Sequence, residues 1–138
     1  MLRAAFRKVQ AVRPFQMDAV VVLPDHLHCL WRLPDGDGDY SGRWREIKKA
    51  ASRQIDSRTN HRHERPVWQR RFWEHAIRGE EDWRRHMDYI HYNAVRHGLA
   101  TSPGDWPWSS FGTAVERGWY EESWGASEPT MIAGMDLE

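Results

Sequence analysis

Five apolar residues, Ala19-Val20-Val21-Val22-Leu23, run into Pro24-Asp25 and are followed at once by a second apolar stretch, His26-Leu27-His28-Cys29-Leu30-Trp31. β-Branched residues at this density favour extended backbone, and a two-residue polar connection turns such a chain back alongside itself. An antiparallel hairpin is therefore expected, Phe15 to Leu23 paired with His26 to Leu33. Side chains alternate along a strand, so His26 and His28 share one face while Leu27, Cys29 and Trp31 share the other, the face expected in the core. Two imidazoles two residues apart suit a divalent metal and require a third ligand from elsewhere in the chain.

The rest of the chain reads as helices around this hairpin. Leu2 to Val12 is an amphipathic helix with Leu2, Phe6 and Val9 on one face, ended by Pro14. Pro34 to Asp39 is a loop whose alternating acids have some look of a calcium loop, without its full spacing or closing glutamate. Ser41 caps a helix through Trp44, Ile47, Ala51 and Ile55, whose exposed side carries Arg43, Lys48, Lys49 and Arg53. Thr59 to Pro66 is a polar, basic connection, and Val67 to Ile77 is expected as a strand entering the sheet. Glu80-Glu81-Asp82 places negative charge where a helix macrodipole favours it, at the start of a helix that runs to about His97 with Gly98 as its C-cap. Pro103 to Pro107 is a loop, Ser109 or Ser110 opens a short helix through Val115, and the chain from about Gly125 is expected to be mobile. The order helix, strand, strand, helix, strand, helix, helix gives an α+β class, an antiparallel sheet with helices packed on it. At 138 residues this is one domain, residues 1–124, with a tail from 125 to 138.

Charge is zero overall but unevenly placed. From Ser41 to Phe72 ten Lys or Arg face three acids, and from Ala100 onward seven acids face one arginine. One face can thus bind a polyanion while the whole chain stays neutral. The single cysteine cannot form an internal disulfide, which fits a reducing, cytoplasmic compartment, and neither a membrane-length apolar run nor a signal-peptide pattern is present. Nine tryptophans offer core mass and, for Trp44, Trp68 or Trp73, surfaces on which bases can stack.

The helix after Glu80 supplies candidates for the missing ligand. Tyr89 and Asn93 are four apart and lie on one face, bordered by His86 and Arg96, while Trp83, Met87, Ile90 and Ala94 form the core face. Tyr89 can be a phenolic nucleophile beside an amide that ligates metal through oxygen. It can equally be a core-edge tyrosine with a bonded hydroxyl.

Four segments taken together resemble a known family. Pro24-Asp25-His26-Leu27-His28 is similar to the His-hydrophobic-His motif of HUH endonucleases. Asp88 to Leu99 resembles the tyrosine helix of single-tyrosine transposases. Trp68 to His75 and Asp105 to Phe111 resemble segments of the REP-associated tyrosine transposases, bacterial relatives of the insertion-sequence transposases that act on single strands. The resemblance extends to about Trp124. It implies a ferredoxin-like fold, His26, His28 and Asn93 as metal ligands, and Tyr89 as nucleophile. Where the family has proline, this chain has Ala94. The family also places an aromatic-rich strand before the first helix. If the sequence is complete the sheet is expected to be one strand short, leaving the histidine strand exposed or shifted; otherwise the sequence is a fragment of its gene product.

The implied function is metal-dependent nicking and strand transfer of single-stranded DNA, in transposition or in processing of REP hairpins. A cation, Mg²⁺ or Mn²⁺ by its mixed nitrogen and oxygen ligands, would stabilise charge on a nonbridging oxygen. Tyr89 would displace the 3′ oxygen and leave a 5′-phosphotyrosine. A phenol titrates near ~10 and needs activation; His91 and His75 are candidate bases. The expected partner is hairpin-forming single-stranded DNA, held by Arg43, Lys48, Lys49, Arg53, Arg70 and Arg71, with no membrane and with the chain as a monomer or dimer. Two other readings stand beside this one: a hairpin-binding module that has lost catalysis, and a small metal hydrolase built on His26, His28 and Asp25.

Overall fold

The computed structural model describes residues 2–56 and 75–137, with the backbone alone for residues 53–56. Its elements in chain order are α1 (Leu2–Val12), β1 (Gln16–Val22), β2 (Leu27–Arg32), α2 (Tyr40–Asp56), α3 (Glu80–Arg96) and α4 (Phe111–Glu116), with 3₁₀ turns at Pro103–Asp105 and Thr130–Ile132. They fall into two compact units, one holding α1 and α2, the other holding most of the hairpin, α3 and the chain that follows.

In the first unit α1 buries Ala5, Phe6 and Val9, and α2 buries Ile47 and Ala51. Trp44 packs edge-on against Phe6 with ring centroids 6.0 Å apart, so this tryptophan is a packing residue. The cap of α2 differs from expectation. Asp39, not Ser41, closes the helix start by accepting the Gly42 N–H at 3.0 Å, because its carboxylate stands three residues before that orphan donor.

Arg43 is the main correction in this unit. Expected on the exposed basic face, it is only 2% exposed. All five of its N–H groups are used. Nε donates to Arg13 O, Nη1 to Asp37 Oδ1 and Asp39 O, and Nη2 to Pro14 O and Asp37 Oδ2, the last at 2.7 Å. The loop acids that had some look of a calcium loop thus hold a guanidinium. The hydrogen bond from Arg43 is the main reason the Asp37 carboxyl is held down at about 2.

The second unit is the hairpin with α3 laid across it. Leu23 donates to His26 O at 2.8 Å, closing the two-residue Pro24-Asp25 turn. β1 pairs with β2 on one edge. On the other, an antiparallel bridge joins Val21 to Ser109, with Val22 donating to Trp108 O and Ser110 donating to Val20 O. Ala19, Val21, Leu23 and Leu30 pack with Met87, Ile90 and Ala94 of α3, with Trp83 against the cluster. This is the α+β arrangement, and the helical core face, that the sequence implied. Trp83 Nε1 also donates to Asp18 Oδ2 at 2.9 Å, fixing the start of α3 to β1.

Two features differ from expectation. The core residue of β2 is Leu30, which has the same parity as His26 and His28. The histidines therefore lie on the core face, at one end of it, and not on the face opposite the core. Cys29 has the other parity, and burial pushes its thiol up to about 12, so it stays neutral and outside the site. The chain from Gly125, expected to be mobile, forms the turn at Thr130–Ile132; Ile132 is buried, and Arg85 Nε donates to Met131 O at 3.1 Å. The strand expected over Val67 to Ile77 lies outside the described residues as far as Glu74, and His75 to Ile77 is not in a strand.

Arg43→Gln leaves backbone carbonyls of two loops without their donors. It is expected to lower unfolding stability by about 2–4 kcal/mol, read from urea denaturation. A loss under ~0.5 kcal/mol would show that the loops find other donors.

Candidate active site

Helix periodicity and strand alternation meet where α3 crosses β2. Tyr89 and Asn93 are one turn apart, and His97, four residues further, is the C-cap residue with its N–H still donated to Asn93 O. Gly98 follows at φ 73°, a left-handed conformation that ends the helix cleanly. The three side chains form a stripe at i, i+4 and i+8. Opposite it stand His28 and His26. The His28 and Tyr89 rings are 5.6 Å apart, and the His26 and His97 rings are also 5.6 Å apart. His26 and His28 are 5.0 Å from each other. The two stripes run past each other with a histidine against each end of the helical one. Asn93 sits midway along it, between Tyr89 and His97.

Asn93 is 0% exposed, and neither Oδ1 nor Nδ2 of its amide has a hydrogen-bond partner among the described residues. Buried amides are ordinarily satisfied, and both atoms of this one could take a ligand's contact. Beside it, His26 Nδ1 donates to Asp25 Oδ1 at 2.6 Å. This bond, followed by the imidazole charge, holds the Asp25 carboxyl below the usual carboxylate range. A carboxylate on one ring nitrogen fixes the tautomer and turns the opposite nitrogen toward a ligand, the arrangement common behind metal-bound histidines.

Tyr89 is 1% exposed. Its hydroxyl oxygen accepts from Arg96 Nη1 at 2.7 Å and from Leu137 N–H at 3.0 Å. The Arg96 guanidinium also lies 5.2 Å from the centre of the Tyr89 ring. Arg96 and His97 carry no role in the sequence reading. Their signal was the helical spacing, seven residues beyond Tyr89 and four beyond Asn93.

Neither candidate base stands at Tyr89. His91 is 2% exposed, bonded to Ser110 Oγ at 2.8 Å and packed against Phe111 and Tyr120. Burial lowers it to about 4. His75 belongs to a second group, with Asp82 and His86, whose ligand atoms lie within 4.8 Å of one another and could hold a metal ion. Here His75 Nε2 is 2.9 Å from Asp82 Oδ2, His86 Nδ1 is 2.8 Å from Asp82 O, and Arg78 N–H donates to Asp82 Oδ2. Both imidazoles direct an N–H at Asp82, and the group ties the lead-in of α3 to its first turn.

Of the expected DNA contacts, Arg43 is buried, Lys48 half-buried and Lys49 exposed, the last 3.7 Å from Glu46. The Arg53 side chain, Arg70, Arg71, Trp68 and Trp73 lie outside the described residues. Trp108, at 60% exposure, presents the most open aromatic face among the described residues.

The chain matches a family model described as transposase IS200 like over residues 1–93. It is 47% identical to a REP-associated tyrosine transposase of Escherichia coli, over 97% of this chain and 77% of that one. It is 39% identical to a putative REP-associated tyrosine transposase of Haemophilus influenzae, over 96% and 79%. Among solved structures it matches a REP-associated tyrosine transposase bound to a REP hairpin, at TM-score 0.84 and 45% identity, covering 99% of this chain and 79% of that one.

The buried His91 gives a pH dependence with a definite sign. Folded His91 titrates at about 4, while an unfolded histidine titrates near ~6.5. Between these values the unfolded state binds more protons, so stability is full above the upper value and falls as pH drops toward the lower. Urea midpoints measured across that window are expected to fall with acid by up to about 1.4 kcal/mol per pH unit from this group. His91→Gln should flatten the slope, and an unchanged slope would assign it to another group.

Proposed function

The chain belongs to the REP-associated tyrosine transposases of the IS200-like family, and we propose that it nicks and rejoins single-stranded DNA at hairpin-forming repeats, with Tyr89 as the nucleophile. One observation carries the reading: the buried Asn93 amide, without a partner among the described residues, midway along the helical stripe whose ends, Tyr89 and His97, meet His28 and His26.

The donor set fits a divalent cation. His26, His28 and Asn93 offer two imidazoles and an amide oxygen, with Asp25 orienting His26. When bound, Mg²⁺ or Mn²⁺ at these residues supplies positive charge against a nonbridging phosphate oxygen. The protein's own residues do the rest. The packing of α3 on the hairpin holds Tyr89 Oη at one end of the ligand row, so that nucleophile and phosphate are brought together without diffusion. Attack in line at phosphorus forms the Oη–P bond and breaks the P–O3′ bond, and the tyrosine proton ends on the released 3′ oxygen. The product is a 5′-phosphotyrosine and a free 3′ hydroxyl. Attack by a 3′ hydroxyl on this link reverses the step, so strand transfer needs no external energy source.

The solved relative is bound to a REP hairpin, which supports hairpin DNA as the partner here. Of the expected contacts on α2 whose side chains are described, Lys48 and Lys49 remain candidates for phosphate contact once Arg43 is excluded.

The reading is tested by incubating the protein with a single-stranded oligonucleotide that carries a hairpin-forming inverted repeat from the DNA flanking its gene, with Mn²⁺. A covalent protein–DNA band on a denaturing gel is expected, absent in Tyr89→Phe and absent with a chelator. Binding without any band would make the chain a hairpin-binding module that has lost catalysis. Cleavage that survives Tyr89→Phe would point to a hydrolase using Asp25 with the two histidines.

Replacing Lys48 and Lys49 by glutamine should weaken hairpin binding and reduce the slope of log affinity against log salt by about 0.7 for each charge removed. An unchanged slope would exclude this helix from the DNA contact.

A further inference from the structure

The Tyr89 oxygen accepts two hydrogen bonds, and these occupy both of its lone pairs. Each donor draws electron density from this oxygen and takes up a direction of approach, so attack is favoured when one donor leaves. The two donors are unequal. Arg96 is charged, sits two helical turns along the same rigid element, bonds at 2.7 Å and lies against the Tyr89 ring. Leu137 offers a neutral N–H at 3.0 Å from the segment that follows the Thr130–Ile132 turn. Charge-assisted bonds are about twice as strong as neutral ones, so the Leu137 N–H is the donor that gives way. The other arm of the guanidinium points at an anion: Arg96 Nη2 is 3.7 Å from Asp136 Oδ1, a carboxylate that is 71% exposed. One guanidinium thus touches the nucleophilic oxygen through one nitrogen and a negatively charged oxygen through another.

From this geometry we infer that Arg96 is a catalytic residue that joins the Tyr89 oxygen to the scissile phosphate, and that Asp136 and Leu137 stand where that phosphate enters. The inference rests on the reading of Tyr89 as nucleophile. On DNA binding a nonbridging phosphate oxygen replaces Asp136 at Nη2, and phosphorus approaches Oη on the side that the Leu137 N–H leaves, the Oη proton passing to the released 3′ oxygen. The planar fork of the guanidinium then fixes the distance between the attacking oxygen and the phosphate. As the Oη–P bond forms and the P–O3′ bond breaks, Arg96 keeps its protons and stabilises the charge on the phosphate. In the reverse step it faces the oxygen that leaves as phenolate. Lysine can supply the charge, but not two donors held in one plane.

The test is single-turnover adduct formation on the same hairpin oligonucleotide with Mn²⁺, using Arg96→Gln, Arg96→Lys and Leu137→Pro. Hairpin affinity is measured separately, and folding is checked by thermal melting. In Arg96→Gln the rate at saturating DNA is expected to fall about 100-fold, with hairpin Kd within about twofold of wild type. Arg96→Lys should recover part of the loss, and added methylguanidine should partly rescue Arg96→Gln, which a folding defect would not allow. Leu137→Pro, which deletes the competing N–H, should raise the rate. An Arg96→Gln rate within about threefold of wild type, or a loss found wholly in Kd, would overturn the role of Arg96 while leaving the Tyr89 reading intact. A wild-type protein that forms no Tyr89-dependent adduct would overturn both.

Discussion

Leu30 is buried among Ala19, Val21, Leu23, Met87, Ile90 and Ala94, and the site depends on that contact. A strand offers only two faces. Once Leu30 is committed to α3, the pleat carries His28 and His26 to the same side in steps of two residues. The helix has its own fixed step: Met87, Ile90 and Ala94 face the sheet, so Tyr89, Asn93 and His97 form the neighbouring stripe. Two regular patterns pinned at one apolar cluster thus leave a row of polar side chains in register beyond it. A one-residue slip of β2 would turn both histidines away from Tyr89 and replace them with Leu27 and Cys29.

Two arginines, Arg43 and Arg96, show how differently one side chain can be employed. Arg43 directs all five donors to its own chain. It is tied into loops on either side of it, so its charge is unavailable to any partner. Arg96 bonds the Tyr89 oxygen with one nitrogen and leans toward an exposed carboxylate with another. That carboxylate sits 71% in solvent, and such a contact contributes little to stability. It can be exchanged for a phosphate at small cost, whereas nothing in solution can replace the carbonyl cage around Arg43.

The elements of this fold were largely legible in the sequence because they rest on local rules. The α1 boundaries follow its apolar face and Pro14. The hairpin follows its β-branched run and two-residue turn, and α3 follows its acidic start and Gly98. What could not be read locally was which face of β2 meets the helix, since Leu30 and Cys29 are both apolar and alternation is silent on the choice. Arg43 was misplaced for a related reason: helical spacing locates it on α2 but cannot show that Asp37 and the carbonyls of Arg13 and Pro14 close around it. The chain beyond Gly125 has the small and polar composition of a loose tail, and only the tertiary contacts of Ile132 and Met131 show it packed. In the site, His26, His28, Tyr89 and Asn93 were recognised as a set by resemblance, and the structure brings their stripes together. Arg96 and His97 were present as spacings that had no meaning until Tyr89 and His26 were placed.

A fully buried side-chain amide without partners costs on the order of 1–3 kcal/mol for each group left unsatisfied. Total stabilities are commonly 5–15 kcal/mol, so a chain with no use for such an amide is better served by leucine, which the neighbouring Ile90 and Ala94 would accept. Asn93 is therefore a local disagreement between folding and sequence, on a helix that also buries His91. Such disagreements cluster where a structure is organised around something it binds. The same logic applies to Tyr89, whose ring is fully packed while its oxygen is held by two donors of different strength. Among the described residues the amide is short of partners, while the tyrosine oxygen carries two donors. On the proposed reading both are answered together: a ligand at Asn93 would satisfy its amide, and a phosphate at Arg96 would displace the weaker donor from the tyrosine.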